Sequence, residues 1–306
     1  MVAAFKNMGK RTKKISKAII PAAGFGTRFL PVTKSIPKEM LPIIDRPVIQ
    51  YVVDEAVFSG MKDIIIVTSW QKKTIEDYFD YSFELEQSLT KGGKEKELRE
   101  IREIAEMANF TYIRQKGPYG NGTPVLCARS LIGKDEFFAV MWGDEFIYSD
   151  PPRLKQMIDL HDKTGGAVIS AVRVGKENVN RYGIASVEEK EKGVFEIREI
   201  IEKPEPEKAP SDLAAHGAYI LPGKIFSILK KLGPGKKGEI WLTDAIGRLI
   251  KEKFPVYACE IKNGRYYDTG NKAEYLKANI DFALKRKDLS GEIKKYIREK
   301  SEQIYD

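Results

Sequence analysis

The chain has 306 residues, 42% of them hydrophobic and 31% charged, and carries a formal net charge of +8. That length and apolar content are enough for one large α/β domain or two small ones, and they exclude a wholly disordered chain. No apolar run approaches the ~18 residues of a membrane-spanning helix, and the opening MVAAFKNMGKRTKKISK has neither a long apolar core nor a cleavage site, so a soluble protein is expected.

In chain order, residues 1–16 read as a basic, mobile N-terminal tail, because the excess positive charge is scattered among 44 acidic residues except over Lys10 to Lys17. No nucleic-acid or membrane contact is assigned to it. Ala18 to Ala22 is a short apolar run, Pro47 to Phe58 has helical spacing, and Ile64 to Val67 is β-branched throughout, as a strand buried on both faces would be. A helix is expected around Lys72 to Phe79, then a longer charged one broken at Gly92 and Gly93, a strand at Phe110, a helix over Thr123 to Leu131 and a strand over Phe137 to Trp142. Repeated βα units of this kind imply a parallel sheet covered by helices. Beyond Asp150 the strand signals at Ala167 to Val174, Gly183 to Val187, Val194 to Ile201, Ala218 to Leu221 and Val256 to Ile261 predict antiparallel strands added to that core. Helices fit at Pro152 to Lys163, Lys224 to Leu232 and Ile240 to Lys251, and EKPEPEKAPSD from Glu202 is a loop. From Asn271 the chain is helical, with a capping-box pattern of Asn271 and Glu274 and a stripe of Leu276, Ile280 and Leu284; a second helix starts near Ser290.

The segment KAIIPAAGFGTRFLPVTKSIPKEMLP carries the first chemical signal. A glycine turn leaving a buried strand lets backbone N–H groups converge on an anion. The dinucleotide fingerprint G-x-G-x-x-G/A starts at Gly24 but meets Phe29 where a small residue is needed, and Pro31 and Pro37 prevent a long helix from starting there. The Walker pattern is absent as well. What remains is a glycine turn with the planar fork of Arg28 and the point charges of Lys34 and Lys38, a set suited to a triphosphate. A triphosphate calls for a divalent cation with oxygen ligands, and Asp144 stands just past the strand FFAVMW, while Asp268 follows the strand-like RYY. Together they could hold one magnesium ion. Taken singly, each aspartate reads equally as a turn or cap residue and each cation as a solvated side chain. His161 and His216 lie near no serine or cysteine in a nucleophile-like setting, which leaves hydrolase triads unsupported. Cys127, inside PVLCARSL, reads as a small core residue, and with Cys259 distant from it the cysteines suggest neither a disulfide nor zinc and fit a reducing cytoplasm.

From about Lys17 to Leu284 the chain resembles the sugar nucleotidyltransferase family, on the side of its uridylyltransferases, through the ordered set PAAGFGTRFLPVTKSIPKEMLPI, RQKGPYGNG, GDE, RYGIASV, IIEKP, GAYIL, EIWLTDAI and GRYYDTGNKAEYLKANIDFAL. The resemblance implies an α/β fold with a Rossmann-like, mostly parallel central sheet, a single catalytic domain over 17–270 and C-terminal helices over 271–306 available for a homodimer or homotetramer contact. It implies UTP and glucose 1-phosphate as substrates, UDP-glucose and pyrophosphate as products and Mg2+ as cofactor. Ala22, Ala23, Gly24, Gly26 and Thr27 would follow the nucleotide, Gln115 and Gly120 would read the uracil edge, and Arg28 and Lys38 would hold the triphosphate. Asp144 and Asp268 would carry the metal, with Gly183, Glu202, Lys203 and Gly217 on the sugar phosphate. The chain departs from the family where GNGTPV replaces GLGHAV, where Glu145 follows Asp144, and at Trp241, a position often polar. A thymidylyltransferase, a uridylyltransferase for another sugar and a non-catalytic sugar-nucleotide sensor are the alternatives.

Overall fold

The computed structural model describes residues 14–305 except 192, 193, 234, 236 and 237, so all but the end of the expected basic tail lies outside the described residues. The first half lays down β1 (Lys17–Pro21), the short β2 (Pro42–Ile43) and β3 (Arg46–Pro47), α1 (Val48–Phe58), β4 (Asp63–Thr68), α2 (Lys73–Tyr78), α3 (Phe83–Lys91), α4 (Glu95–Glu106), β5 (Asn109–Arg114), α5 (Gly122–Cys127) and β6 (Phe137–Met141). Then come β7 (Phe146–Ser149), α6 (Arg153–Thr164), β8 (Ala167–Arg173), β9 (Gly183–Glu191), β10 (Val194–Glu202), β11 (Leu213–Pro222), α7 (Ile225–Leu232), α8 (Leu242–Lys251), β12 (Val256–Glu260), β13 (Gly264–Tyr267), α9 (Lys272–Lys285) and α10 (Ser290–Tyr305).

Nine strands form one sheet in the order β5-β4-β1-β6-β11-β8-β12-β10-β9. The strands β5, β4, β1 and β6 run parallel, β11 enters antiparallel between β6 and β8, and β10 and β9 close the far side as an antiparallel pair. Strand alternation explains how one sheet divides the core. Ile19, Ile65 and Val67 fall in one apolar layer, Ala18, Ile20, Ile64 and Ile66 in the other, as successive side chains point to opposite faces. Burying each isoleucine contributes about 1.5–3 kcal/mol, which fixes the register of the central strands. From β1 the chain goes to β4 and β5 on one side and returns to β6 on the other, so the order reverses between β1 and β6, where open α/β sheets bind ligands beyond their carboxyl ends.

Two expected elements differ in the structure. The helix over Thr123 to Leu131 ends at Cys127 and continues only as a 3-10 turn over Arg129–Leu131. On α9 the buried face is Ala278, Phe282 and Ala283, whereas Leu276 and Ile280 of the expected stripe face solvent. None of the described helices is long and apolar enough to cross a membrane.

Candidate active site

Beyond β1 the chain does not enter a helix. Gly26 takes the left-handed conformation at φ 67°, and three 3-10 turns follow, Thr27–Phe29, Val32–Lys34 and Lys38–Met40. The prolines that forbade a long helix leave Arg28 on the first turn and Lys38 opening the third. Thr33 Oγ1 donates to the Gly26 carbonyl at 2.8 Å and ties the loop back on itself. The loop beyond β6 lies against it. Gly143 N donates to the Pro21 carbonyl at 3.2 Å, and a Cβ on Gly143 would meet that oxygen at 3.2 Å, Ile20 Cγ2 at 3.3 Å and Glu39 Cγ at 3.5 Å, so a side chain would push the two loops apart.

Lys38 Nζ donates to Asp144 Oδ2 across this junction. Burial works against the ammonium, but Asp144 and Glu39 outweigh it and hold the Lys38 pKa above its usual value. Burial likewise opposes the Asp144 carboxylate, and Lys38 and Arg28 overcome that, so Asp144 stays below the ordinary carboxylate range. Beneath them lies a second, more deeply buried pair, Glu39 with Lys72, joined by hydrogen bonds of 2.8 and 2.6 Å.

The second aspartate arrives by a strand pairing. β7 and β13 form a separate antiparallel ribbon in which Phe146 faces Tyr267, so Asp144 and Glu145 enter the ribbon at the end where Asp268 leaves it. Thr269 Oγ1 donates to the Asp144 carbonyl at 2.6 Å and closes that end. A Cβ on Gly270 would lie 2.8 Å from Arg28 Nη2 and 3.1 Å from Asp268 Oδ1, which puts the Arg28 guanidinium beside Asp268. Two carboxylates supply the hard oxygen donors that Mg2+ prefers. Among the described residues no cluster of three or more His, Cys, Asp or Glu groups could hold a metal, so a cation here would draw its other ligands from water or phosphate.

The opposite wall comes from the antiparallel half. Gly183 pairs with Glu202 at the end of the β9–β10 ladder, and Lys203 N donates to the Tyr182 carbonyl at 2.9 Å. Lys203 has φ 47°, a left-handed conformation costly for a residue with a side chain, and its ammonium lies 4.6 Å from the centre of the Trp241 ring. Glu202 accepts from Thr243 Oγ1 at 2.7 Å. Gly217 stands in the irregular stretch of β11 between Ala215 and Tyr219, with φ 69°. A Cβ there would be 2.0 Å from Glu145 Oε1 and 2.6 Å from Arg153 Nη1, so any side chain would have to displace those two groups and would strain the backbone as well.

Under Gly217 lies a buried polar group. Arg153 grips Glu55 through two hydrogen bonds of 3.0 Å, and Tyr266 donates to Glu145 Oε2 at 2.8 Å. Burial, with Asp144 alongside, pushes the Glu145 pKa up to about 7, and burial pushes His216 down to about 3, which keeps its imidazole neutral.

Together these walls line one open cleft of about 820 Å³, counting the solvent space at its mouth. Of the residues expected from sequence, Arg28, Asp144, Asp268, Gly183, Glu202, Lys203 and Gly217 all line it, and Lys38 joins through Asp144. Ala22, Ala23, Gly24 and Thr27 belong to the loop that carries Arg28 into the cleft, where a Cβ on Gly24 would lie 3.7 Å from the Lys38 side chain. Gln115 and Gly120 do not line the cleft. Gln115 follows β5 and donates its N–H to Thr68 at 2.8 Å, and Gly120 packs against the Ile240 backbone. The cleft also holds residues the sequence reading did not single out, chiefly Arg181, Tyr182, Trp142 and Tyr266. Arg181 stood two positions before Gly183 in RYGIASV and was legible as a cation beside a site glycine. His216, which has no nucleophile beside it in sequence, is a neutral residue of the cleft wall.

The chain is similar to known proteins over most of its length. A sequence model described as nucleotidyl transferase matches residues 17–284. UTP–glucose-1-phosphate uridylyltransferase YngB of Bacillus subtilis (strain 168) is 46% identical over 287 residues, covering 94% of this chain and 96% of that protein. A UTP-bound UDP-glucose pyrophosphorylase from Acinetobacter baumannii superposes with a TM-score of 0.85 at 40% identity, over 94% of this chain and 99% of that one. A UDP-glucose pyrophosphorylase complexed with UDP-glucose gives 0.81 at 43% identity, over 89% and 100%. With the match running from the first core strand into α9, the chain belongs to the nucleotidyl transferase family.

Proposed function

We propose that the protein is a UTP–glucose-1-phosphate uridylyltransferase, making UDP-glucose and pyrophosphate. One observation carries the reading: a single cleft has Arg28, Asp144 and Asp268 on one wall and Gly183, Glu202, Lys203 and Gly217 on the other, so a polyanion and a sugar phosphate can meet in it. The relatives named for this reaction support the choice of substrates.

A phosphate oxygen of glucose 1-phosphate attacks the α-phosphorus of UTP in line; the new P–O bond forms as the bond to the β-phosphate bridging oxygen breaks, and pyrophosphate leaves. The nucleophile is already an anion, so no general base is needed. Asp144 and Asp268 would hold Mg2+, which would supply positive charge against that building up on the phosphoryl oxygens. Arg28 and Lys38 hold the triphosphate, and Lys203, fixed by its backbone bond to Tyr182, steadies the incoming phosphate. Glu202 accepts from sugar hydroxyls, and Gly183 and Gly217 leave room for the ring. Backbone groups of Ala22 to Thr27 follow the nucleotide, and Gln115 and Gly120, which stand outside the cleft lining, are assigned to the base on the resemblance to the family alone.

The apolar Leu276 and Ile280, exposed on α9, support a homodimer or homotetramer built on the C-terminal helices. Two free cysteines suit a reducing cytoplasm. The deciding experiment is a matrix of nucleoside triphosphates against sugar 1-phosphates, read by pyrophosphate release with Mg2+ present and then chelated. The greatest kcat/KM is expected for UTP with glucose 1-phosphate, and activity should vanish with the cation. A preference for dTTP or another sugar would replace the substrate assignment, and no release from any pair would remove the enzyme reading.

A further inference from the structure

Among the described residues lining the cleft, Arg181 pairs with Asp268, donating from Nη2 to Oδ2 at 3.2 Å. Its backbone is anchored among enclosed residues while its head reaches the solvent. It ends the 3-10 turn Lys176–Arg181, and the flanking Val179 and Ile184 are both fully enclosed in a small apolar cluster with Ala214. The side chain itself is 47% exposed and lies with its guanidinium carbon 5.5 Å from the Tyr182 ring centre. Tyr182 is also the residue whose carbonyl receives Lys203 N. Arg181 and Lys203 therefore emerge from the same ladder end, one a planar fork and the other a point charge, on the wall that carries Gly183 and Glu202. Two cations rooted together beside a sugar-sized recess are matched to one phosphate.

Building on the proposed reaction, we propose that Arg181 binds the phosphate of the sugar phosphate alongside Lys203, and that it competes with the divalent cation for Asp268. A carboxylate oxygen donating its lone pairs to Mg2+ is a poorer acceptor for a guanidinium, so ligation of the cation frees the Arg181 fork to turn to the phosphate from its anchored base. Two opposite effects follow from removing it. Sugar-phosphate binding weakens, and the cation binds more easily because its rival for Asp268 is gone.

The test uses the full chain with Arg181→Met and Arg181→Lys. For Arg181→Met the KM for glucose 1-phosphate should rise on the order of tenfold, as expected for loss of a charge-assisted hydrogen bond, while the KM for UTP stays within about twofold. Arg181→Lys, keeping the charge without the fork, should fall between. Titration calorimetry of Mg2+ into the protein alone should give tighter binding in Arg181→Met than in the unaltered chain. Because the side chain is exposed, both variants should melt at the unaltered temperature. An unchanged KM for glucose 1-phosphate, an equal rise for both substrates, or unchanged Mg2+ affinity would overturn the assignment. Should the unaltered chain release no pyrophosphate from these substrates, the proposed reaction fails first, and calorimetry of glucose 1-phosphate against both proteins then decides on Arg181 independently.

Discussion

Lys38 and Glu39 are adjacent in sequence and serve opposite sides of one loop. Lys38 reaches up to Asp144, and Glu39 turns down to Lys72, its side chain passing beneath Gly143. Burial pushes Glu39 up and Lys72 down from their usual values, and each opposes the shift in the other, so the pair is held as a unit. Lys72→Met would leave Glu39 buried next to Lys38 with nothing else to balance it. Removing one member of such a pair costs about 3–5 kcal/mol, while replacing both is close to neutral. Urea unfolding should therefore show a large loss for Lys72→Met and recovery of most of it in Glu39→Gln/Lys72→Met; equal losses in the two would show that the pair does not act as a unit. Asp144→Asn and Lys203→Ala, by contrast, change groups that face the cleft. Each should lower turnover on the order of a hundredfold or more with the melting temperature nearly unchanged, and near-normal pyrophosphate release in either would remove that residue from the proposed machinery.

At the level of elements, the sequence made the strongly patterned pieces legible. A run such as Ile64 to Val67 has no polar face and can only be a strand enclosed on both sides, which is where β4 sits. Asp144 and Asp268 were recognisable as carboxylates after strand-like segments, but nothing in their spacing says that β7 and β13 pair, since a two-stranded ribbon of four residues a side carries no periodic signal of its own. The α9 stripe shows the complementary limit. Leu276 and Ile280 have helical spacing, yet Phe282 with Ala278 and Ala283 packs inward, because a helix with apolar residues on two faces does not declare which one meets the core. The start of that helix was plain. Asn271 Oδ1 accepts from Ala273 N at 2.9 Å and Glu274 N at 3.2 Å, while Glu274 goes to Lys277 instead of returning the bond. Asn271→Ala should cost about 1 kcal/mol by chemical denaturation. Asn271 N also donates to the Asp268 carbonyl, so a loss well below this would mean that the cap contributes little to holding that strand end.

Over the whole molecule, the sheet order sets what can meet. The parallel strands bring the loops after β1 and β6 together at the point of reversal, and the antiparallel strands β9, β10 and β11 bring up the facing wall. The sequence predicted both kinds of strand but not their order, because pairing across the sheet depends on contacts between segments far apart in the chain. The ribbon of β7 and β13 has a consequence for how the protein comes into being. Thr269 closes onto Asp144 across a sequence separation of 125, so a chain emerging from the ribosome can lay down β1, β4, β5 and β6 and still have only one of its two acidic groups. A chain translated only through β12 would carry all nine strands of the main sheet and the wall of Gly183, Glu202, Lys203 and Gly217, yet on the proposed mechanism it would lack the second cation ligand until β13 and Asp268 had followed.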